Sequence, residues 1–596
     1  MTQFGQLADL PAPAYQGVTA RSLYISMRDG VPIAIDMILP KDLPAGVRVP
    51  AILIMARYWR SFDLRTPAQP GKAPLGPRGA IADFLGTHGY AVVIADARGS
   101  GASFGAWQAP FHDQEIADFG EVADWVTRQP WSNGCLGTTG ISYEGALAEQ
   151  LAAAYPAVKA VIPQGTEFDV YTDSARPGGI LNEWFIKEWS RTNQELDANT
   201  VPKQWGLSAR LFVKGVKPVD ADKNRAQLKQ ALAQHRQNPD VYRNIQAITY
   251  RDDRFGDLDL TLDDLSLFNR QAAIERSGVA IFGWGSWFDG AAADTVIRRF
   301  VNFNNPQIGV IGAWAHNSES HASPYGKPKS PPVPDLKTQW HEARRFCEQR
   351  CAAQPVRKVL HYYNLGEEQW KSTEVWPPPG STSQRWYLRD SHTLALNAPT
   401  DRSGGDEYAI DFEASTGTQN RWHTEDGVTP VIYPDRAAPD RRLLTYTSAR
   451  LDQDVQLTGY PIVTLHVTST ATDGAFFVYL EDVAETGKVR YITEGQLRAL
   501  HRKVSAATPS YKISVPYHSF KQADAAPLVP GEVTELTFGL LPTSVLIRQG
   551  HRIRIAIAGH DKDNFARIPA TGTPTITIAR NALHASFIDL PVNAAG

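Results

Sequence analysis

Short apolar runs alternate with helical stretches through the first 165 residues, and this alternation restricts the chain's beginning to very few architectures. The runs are VPAILIMAR from Val49, YAVVIADAR from Tyr90, a weaker GCLGTTGI from Gly134 and AVKAVIPQG from Ala157. Strands that are apolar on both faces must be covered on both faces, and a parallel sheet with crossover helices does this. The clearest helix is predicted between His112 and Arg128. There Ile116, Phe119, Val122, Ala123 and Val126 recur at helical spacing, and Glu115, Asp118, Glu121 and Asp124 are read as a solvated face. Strand-like runs return at Ser277 to Trp284 and at Gln307 to Ala313.

The interval from about Glu167 to Arg276 is polar and helix-prone, and reads as an inserted cap without strand signals. After the helix around Trp340 to Ala352 the pattern changes to short Val-, Ile-, Thr- and Tyr-rich runs separated by Gly, Pro, Asn and Asp. An all-β sandwich is therefore expected from about Pro355 to Gly596. The expected division is 1–166 and 277–354 for the α/β unit, 167–276 for the cap and 355–596 for the sandwich. A length of 596 residues exceeds what one core can fill, so more than one domain is required.

A net charge of -3 provides no basic field for a nucleic acid. No stretch of about 18 apolar residues occurs, so no membrane partner is expected. Three cysteines, Cys135, Cys347 and Cys351, are few for a chain of this size. Cys347 and Cys351 are read as packing residues on one helix face, which fits a reducing, cytoplasmic compartment. No metal-ligand spacing or phosphate-loop fingerprint is present, so neither a metal nor a cofactor is expected.

One segment carries chemistry. In GTTGISYEGALAEQ, Ser142 lies between a strand-like run and an alanine-rich helix, with Gly140 before it and Gly145 after it. A tight strand-to-helix turn needs residues without bulk at those positions, and it would expose Ser142 at the positive end of the helix. A nucleophilic serine needs a base, and the base needs a carboxylate to fix its tautomer. Asp289 and His316 each follow a strand-like run, at the sheet edge where such groups gather, in the chain order Ser, Asp, His. His321, Asp294 and Asp113 are the nearest rivals.

The sequence resembles the bacterial cocaine esterase group of α/β-hydrolases, related to Xaa-Pro dipeptidyl-peptidases and α-amino acid ester hydrolases. The resemblance rests on Arg57-Tyr58, ADARGSGAS from Ala95, GISYEG from Gly140, WFDG from Trp287, GAWAH from Gly312, and GEEQW, FFVYLEDV, EGQLRA and GHRIRI in the last domain. It implies an α/β-hydrolase domain with a helical cap and a C-terminal jelly-roll sandwich. It also implies Ser142 as nucleophile, Asp289 and His316 as its partners, and an oxyanion hole made from the Tyr143 amide and the Tyr58 phenol.

The expected reaction is hydrolysis of a small carboxylic ester with an apolar or aromatic acyl group, through an acyl-enzyme. Amidase, acylase or prolyl peptidase activity ranks second; acyl transfer, or binding without catalysis, comes after. Candidate pocket walls are Tyr171, Trp184, Phe185, Trp189, Trp287 and Phe288. α-Amino ester hydrolases carry carboxylates just after the catalytic acid, whereas Gly290, Ala291, Ala292 and Ala293 follow Asp289 here. Glu144 is a candidate anchor for a substrate ammonium. Homo-oligomerisation is left open.

Overall fold

A computed structural model describes residues 4–7, 10–66 and 71–593. Ten strands form the first sheet: β1 (Val18–Ser26), β2 (Pro32–Pro40), β3 (Val49–Ala56), β4 (Ala91–Asp96), β5 (Ser132–Ile141), β6 (Ala160–Gln164), β7 (Ala280–Ser286), β8 (Gln307–Gly312), β9 (Val359–Asn364) and β10 (Gln369–Thr373). Their order across the sheet is β1-β2-β4-β3-β5-β6-β7-β8-β9-β10. The seven strands from β4 to β9 are parallel, and at the edges β1 pairs antiparallel with β2, β2 with β4 and β10 with β9. The central strands β3, β4 and β7 are buried almost throughout, as expected for strands covered on both faces. Their carboxyl ends open on one edge, where Ser142, Asp289 and His316 follow β5, β7 and β8.

Between β6 and β7 the chain leaves the sheet for helices that include Glu183–Asp197, Gly206–Phe212 and Ala226–His235. This segment also holds one short strand, Val213–Val216, paired with Phe62–Leu64. Its Gly-containing VKGV run is too short to register as a strand from periodicity.

Thirteen strands between Ser381 and Asn593 form the all-β part. The runs of β9 and β10, read from the sequence as part of the last domain, instead complete the first sheet: Ile308 of β8 registers with Val359, and Leu360 with Thr373.

Two readings of side chains are corrected. Glu115 and Asp118 are buried, not solvated: Asp118 pairs with Arg98 at 2.6 Å, and Glu115 accepts the Tyr143 hydroxyl at 2.6 Å. Burial drives the Glu115 carboxyl up to about 7, against the Tyr143 hydrogen bond and the Arg57 charge.

Cys351 is not a packing residue, because it forms a disulfide with Cys135 across 216 residues. Only Cys347 remains a buried thiol. The bond ties the helix Leu336–Cys351 to β5, and it removes the argument from unpaired thiols to a reducing compartment. No helix among the described residues is long and apolar enough to cross a membrane.

Closing so long a loop should stabilise the fold by about 2–4 kcal/mol. Cys351→Ser should therefore lower the denaturation midpoint. A reductant should bring the parent down to the variant's value and leave the variant unchanged. An equal response of both proteins to reductant would show that the cross-link contributes nothing.

Candidate active site

Ser142 is the N-cap of the helix Tyr143–Ala154, directly after β5. Its backbone has φ 62° and ψ -132°, a region that non-glycine residues rarely occupy and that costs of order 1–3 kcal/mol. The Ser142 amide donates to the Gln164 carbonyl at 2.8 Å, which fixes the turn. The flanking glycines are needed for space. A Cβ on Gly140 would lie 2.4 Å from the Glu144 carbonyl carbon, and one on Gly145 would lie 2.6 Å from the Gly140 oxygen.

Asp289 and His316 are both buried, and Asp289 Oδ1 lies 2.7 Å from His316 Nδ1. The pairing directs the other ring nitrogen, Nε2, into the cavity that Ser142 lines, where Nε2 has no hydrogen-bond partner. Burial opposes a charge on this ring, but the Asp289 carboxylate and its hydrogen bond outweigh it, with smaller help from Glu167 and Asp426. The His316 pKa is accordingly raised above its ordinary value.

Tyr58 follows β3 and lines the same cavity. Its oxygen accepts the Trp189 indole N–H at 2.8 Å, so its own proton is available to another acceptor. Burial pushes the phenol up, and it remains a neutral donor. The Tyr143 amide is in the first helical turn, where an N–H has no intrahelical acceptor. Its side chain is anchored away from the cavity by Trp107 Nε1 at 3.0 Å and by Glu115.

The cavity has two chambers that meet at Ser142, His316 and Glu425. The outer chamber, about 280 Å³, is walled by Tyr58, Trp189 and Trp205. The inner one is walled by Phe185, Gly165 and Glu167. Of the six residues proposed as pocket walls, Phe185 and Trp189 therefore line it and four lie elsewhere. Tyr171 is buried against Phe520 and donates to the Thr249 carbonyl at 2.8 Å. Trp184 stacks on His423 at 3.5 Å. Trp287 donates to the Tyr363 carbonyl at 2.6 Å, and Phe288 packs near Tyr433, both in the core. Rings beside a site residue in sequence often point into the core, as these do.

The rivals have other partners. His321 faces Glu368, Asp294 accepts from Tyr460 and pairs with Arg298, and Asp113 pairs with Arg270. Glu144 is buried in an ion pair with Arg78 and does not line the cavity.

Two site residues escaped the sequence reading. Glu167 and Glu425 each present a buried carboxylate oxygen without a hydrogen-bond partner. Burial pushes both pKa values up, Glu425 far above the usual carboxylate range because Asp289 and Glu167 add like charge. Glu167 could have been flagged from its place three residues after β6. Glu425 comes from the all-β part, 283 residues beyond Ser142, and carried no local signal.

That part also holds the loops of the site. Arg421 donates to the carbonyls of Trp287 at 2.5 Å and Gly290 at 3.0 Å, on either side of Asp289. Thr424 accepts the His316 amide at 3.1 Å.

Comparison with known proteins agrees with this architecture. Residues 29–318 match the model of the X-Pro dipeptidyl-peptidase (S15 family), and residues 356–587 match the X-Pro dipeptidyl-peptidase C-terminal non-catalytic domain. A Mycobacterium bovis protein named as a serine esterase is 43% identical over 97% of this chain and 96% of its own length. The cocaine esterase of a Rhodococcus strain is 25% identical over 96% of this chain and 98% of its own. Among solved structures, a CocE/NonD family hydrolase from Staphylococcus aureus superimposes with a TM-score of 0.70 at 16% identity, covering 97% of both chains. From this similarity along nearly its whole length, the chain belongs to the same family as the Mycobacterium serine esterase, a family of serine hydrolases built from the two X-Pro dipeptidyl-peptidase (S15 family) domains and similar to cocaine esterase.

Proposed function

We propose that this chain hydrolyses carboxylic esters through an acyl-enzyme formed on Ser142. Ser142 Oγ attacks the ester carbonyl carbon while His316 Nε2 takes its proton. Asp289 holds Nδ1–H and stabilises the imidazolium that forms. The oxyanion is held by the Tyr143 amide and the Tyr58 hydroxyl. The C–O bond then breaks, and His316 returns the proton to the departing alcohol. Water, deprotonated by the same ring, attacks the acyl carbon and releases the acid and free Ser142. The observation that carries this reading is the unpartnered His316 Nε2, fixed through Nδ1 on Asp289, in one cavity with a serine on a strained turn. The rings of Phe185, Trp189 and Trp205 favour an apolar or aromatic group on the substrate.

A second reading has an observation of its own. Glu167 and Glu425 each leave one buried carboxyl oxygen without a hydrogen-bond partner at the cavity, which suits a substrate bearing an α-ammonium group, as in a peptide or amino ester: burial favours their neutral forms, and an incoming ammonium would favour the charged ones. A panel of p-nitrophenyl acyl esters, α-amino esters, their N-acetylated forms and prolyl p-nitroanilides separates the two. Simple esters turned over faster than α-amino esters and anilides support the first. A preference for free-amine substrates that acetylation abolishes supports the second.

The charge on His316 sets the pH dependence. Only the neutral ring accepts the serine proton, and the folded pKa is raised. Hence kcat/KM should increase with pH through a midpoint above about 6.5, the ordinary histidine value. Glu115, raised to about 7 by burial, accepts the Tyr143 phenol and does not line the cavity, so Glu115→Gln should leave that midpoint in place. A flat profile would count against His316 as the base.

A further inference from the structure

Large exposed apolar side chains cluster at one place on the surface. Leu207, Leu211 and Phe212 are 71%, 58% and 57% exposed on the helix Gly206–Phe212, which buries none of its residues. Leu207 and Leu211 are one turn apart and share a face. The helix adjoins the opening of the Ser142 cavity: Trp205, just before it, lines the outer chamber and packs on Phe62 with ring centroids 5.4 Å apart. Behind it, the Arg65 amide donates to the Phe212 carbonyl at 2.9 Å, and Phe62 donates to the carbonyl of Leu75, itself 58% exposed. Across the opening, Val428 of the all-β part lines the chamber and is 51% exposed. The mouth therefore has an apolar rim, which a water-facing cap does not need.

The helix side of the rim is also basic, whereas Glu319 and Asp426 stand on the opposite side of the opening, beside Val428. Residues 198–219 contain Lys203, Arg210, Lys214 and Lys217 and no acid. Lys214 and Lys217 have ion-pair partners in Asp63 and Asp220, whereas no salt bridge joins Lys203 or Arg210 to an acid among the described residues. An apolar ridge flanked by unpaired cations fits the boundary between the acyl chains and the anionic headgroups of a lipid layer. It fits a second copy of this chain poorly, since a two-fold contact would oppose cations to cations.

We propose that the rim helix Gly206–Phe212 docks the mouth of the cavity onto an anionic lipid surface, from which acyl esters enter towards Ser142. Surface docking requires no membrane-crossing helix, and no helix among the described residues is long and apolar enough to be one. The delivery of esters rests on the ester-hydrolase reading; the docking does not.

Co-sedimentation of full-length Ser142→Ala protein with phosphatidylcholine vesicles, with and without phosphatidylglycerol, tests docking apart from turnover. Binding to the anionic vesicles is expected, weakened by salt. The variant Leu207→Ser/Leu211→Ser/Phe212→Ser should lower partitioning by about tenfold or more, and Lys203→Glu/Arg210→Glu should also lower it. With Ser142 intact, the same rim variants should hydrolyse p-nitrophenyl acetate within about twofold of the parent, which shows an intact fold. The docking proposal is overturned by three results: a parent that stays in the supernatant with every vesicle, rim variants that bind like the parent, or a dimer that the rim variant dissociates without vesicle binding. Vesicle binding without ester turnover would sustain docking and defeat the ester-hydrolase reading.

Discussion

Ser142→Ala is expected to lower kcat for ester turnover by on the order of a million-fold and to abolish labelling by a fluorophosphonate probe. The attacking oxygen is the only group removed. Alanine has the same Cβ at the strained φ of 62°, so the turn and the stability should be nearly unchanged. The oxyanion donors would remain, and they set the residual rate over water. His316→Ala should cost a similar factor, because a serine without a base is as inert as a missing one. The double variant should be little worse than either single one, as expected for groups that act as a unit. Labelling that persists at another serine, or losses that multiply, would defeat the assignment of Ser142.

Part of this site is legible in the sequence for a physical reason. Strands buried on both faces must be apolar runs, and β3 and β4 appear as AILIMA and AVVIAD. The turn at Ser142 is legible because backbone atoms of the following helix approach to where a Cβ on Gly140 would stand. What depends on distant partners is hidden. The acids of the helix Asp113–Thr127 look like a solvated face, because Asp118 is buried by Arg98 and Glu115 by the Tyr143 phenol, both outside its own periodicity. The Cys135–Cys351 pairing spans two elements that become neighbours only when the helix Leu336–Cys351 packs on the sheet. β10 resembles a sandwich strand because it is the exposed edge, paired antiparallel with β9, whereas β9 itself is buried between β8 and β10.

The all-β part explains why the walls of the site were the hardest to read. It supplies Glu425 to the cavity, and Arg421 to the loop that carries Asp289. Ionisable residues hundreds of positions from the nucleophile carry no periodic signal, and their role depends on how two cores dock. Trp287 and Phe288 show the converse: adjacency to Asp289 suggested a pocket, yet both side chains turn into the core that holds the loop.

Tyr58→Phe should lower kcat by about 100-fold to 1,000-fold, the loss typical of one oxyanion donor. The substitution removes only the hydroxyl. The ring keeps its contact with Tyr143, whose centroid is 6.4 Å away, so a packing role alone predicts almost no change. The Trp189 indole donates to the phenol oxygen and would lose its acceptor in the variant, which introduces a second effect. Trp189→Phe controls for it, because that variant removes the indole N–H and leaves the phenol donor in place. If Tyr58 acts on the oxyanion, Tyr58→Phe should be far more damaging than Trp189→Phe. Its loss should also fall mainly on kcat with KM nearly constant, since the charge it meets develops only during attack. The pH midpoint set by His316 should stay where it is, because the phenol remains neutral throughout that range. A Tyr58→Phe enzyme within about threefold of the parent in kcat would leave the Tyr143 amide as the only proposed donor and require another group to complete the hole.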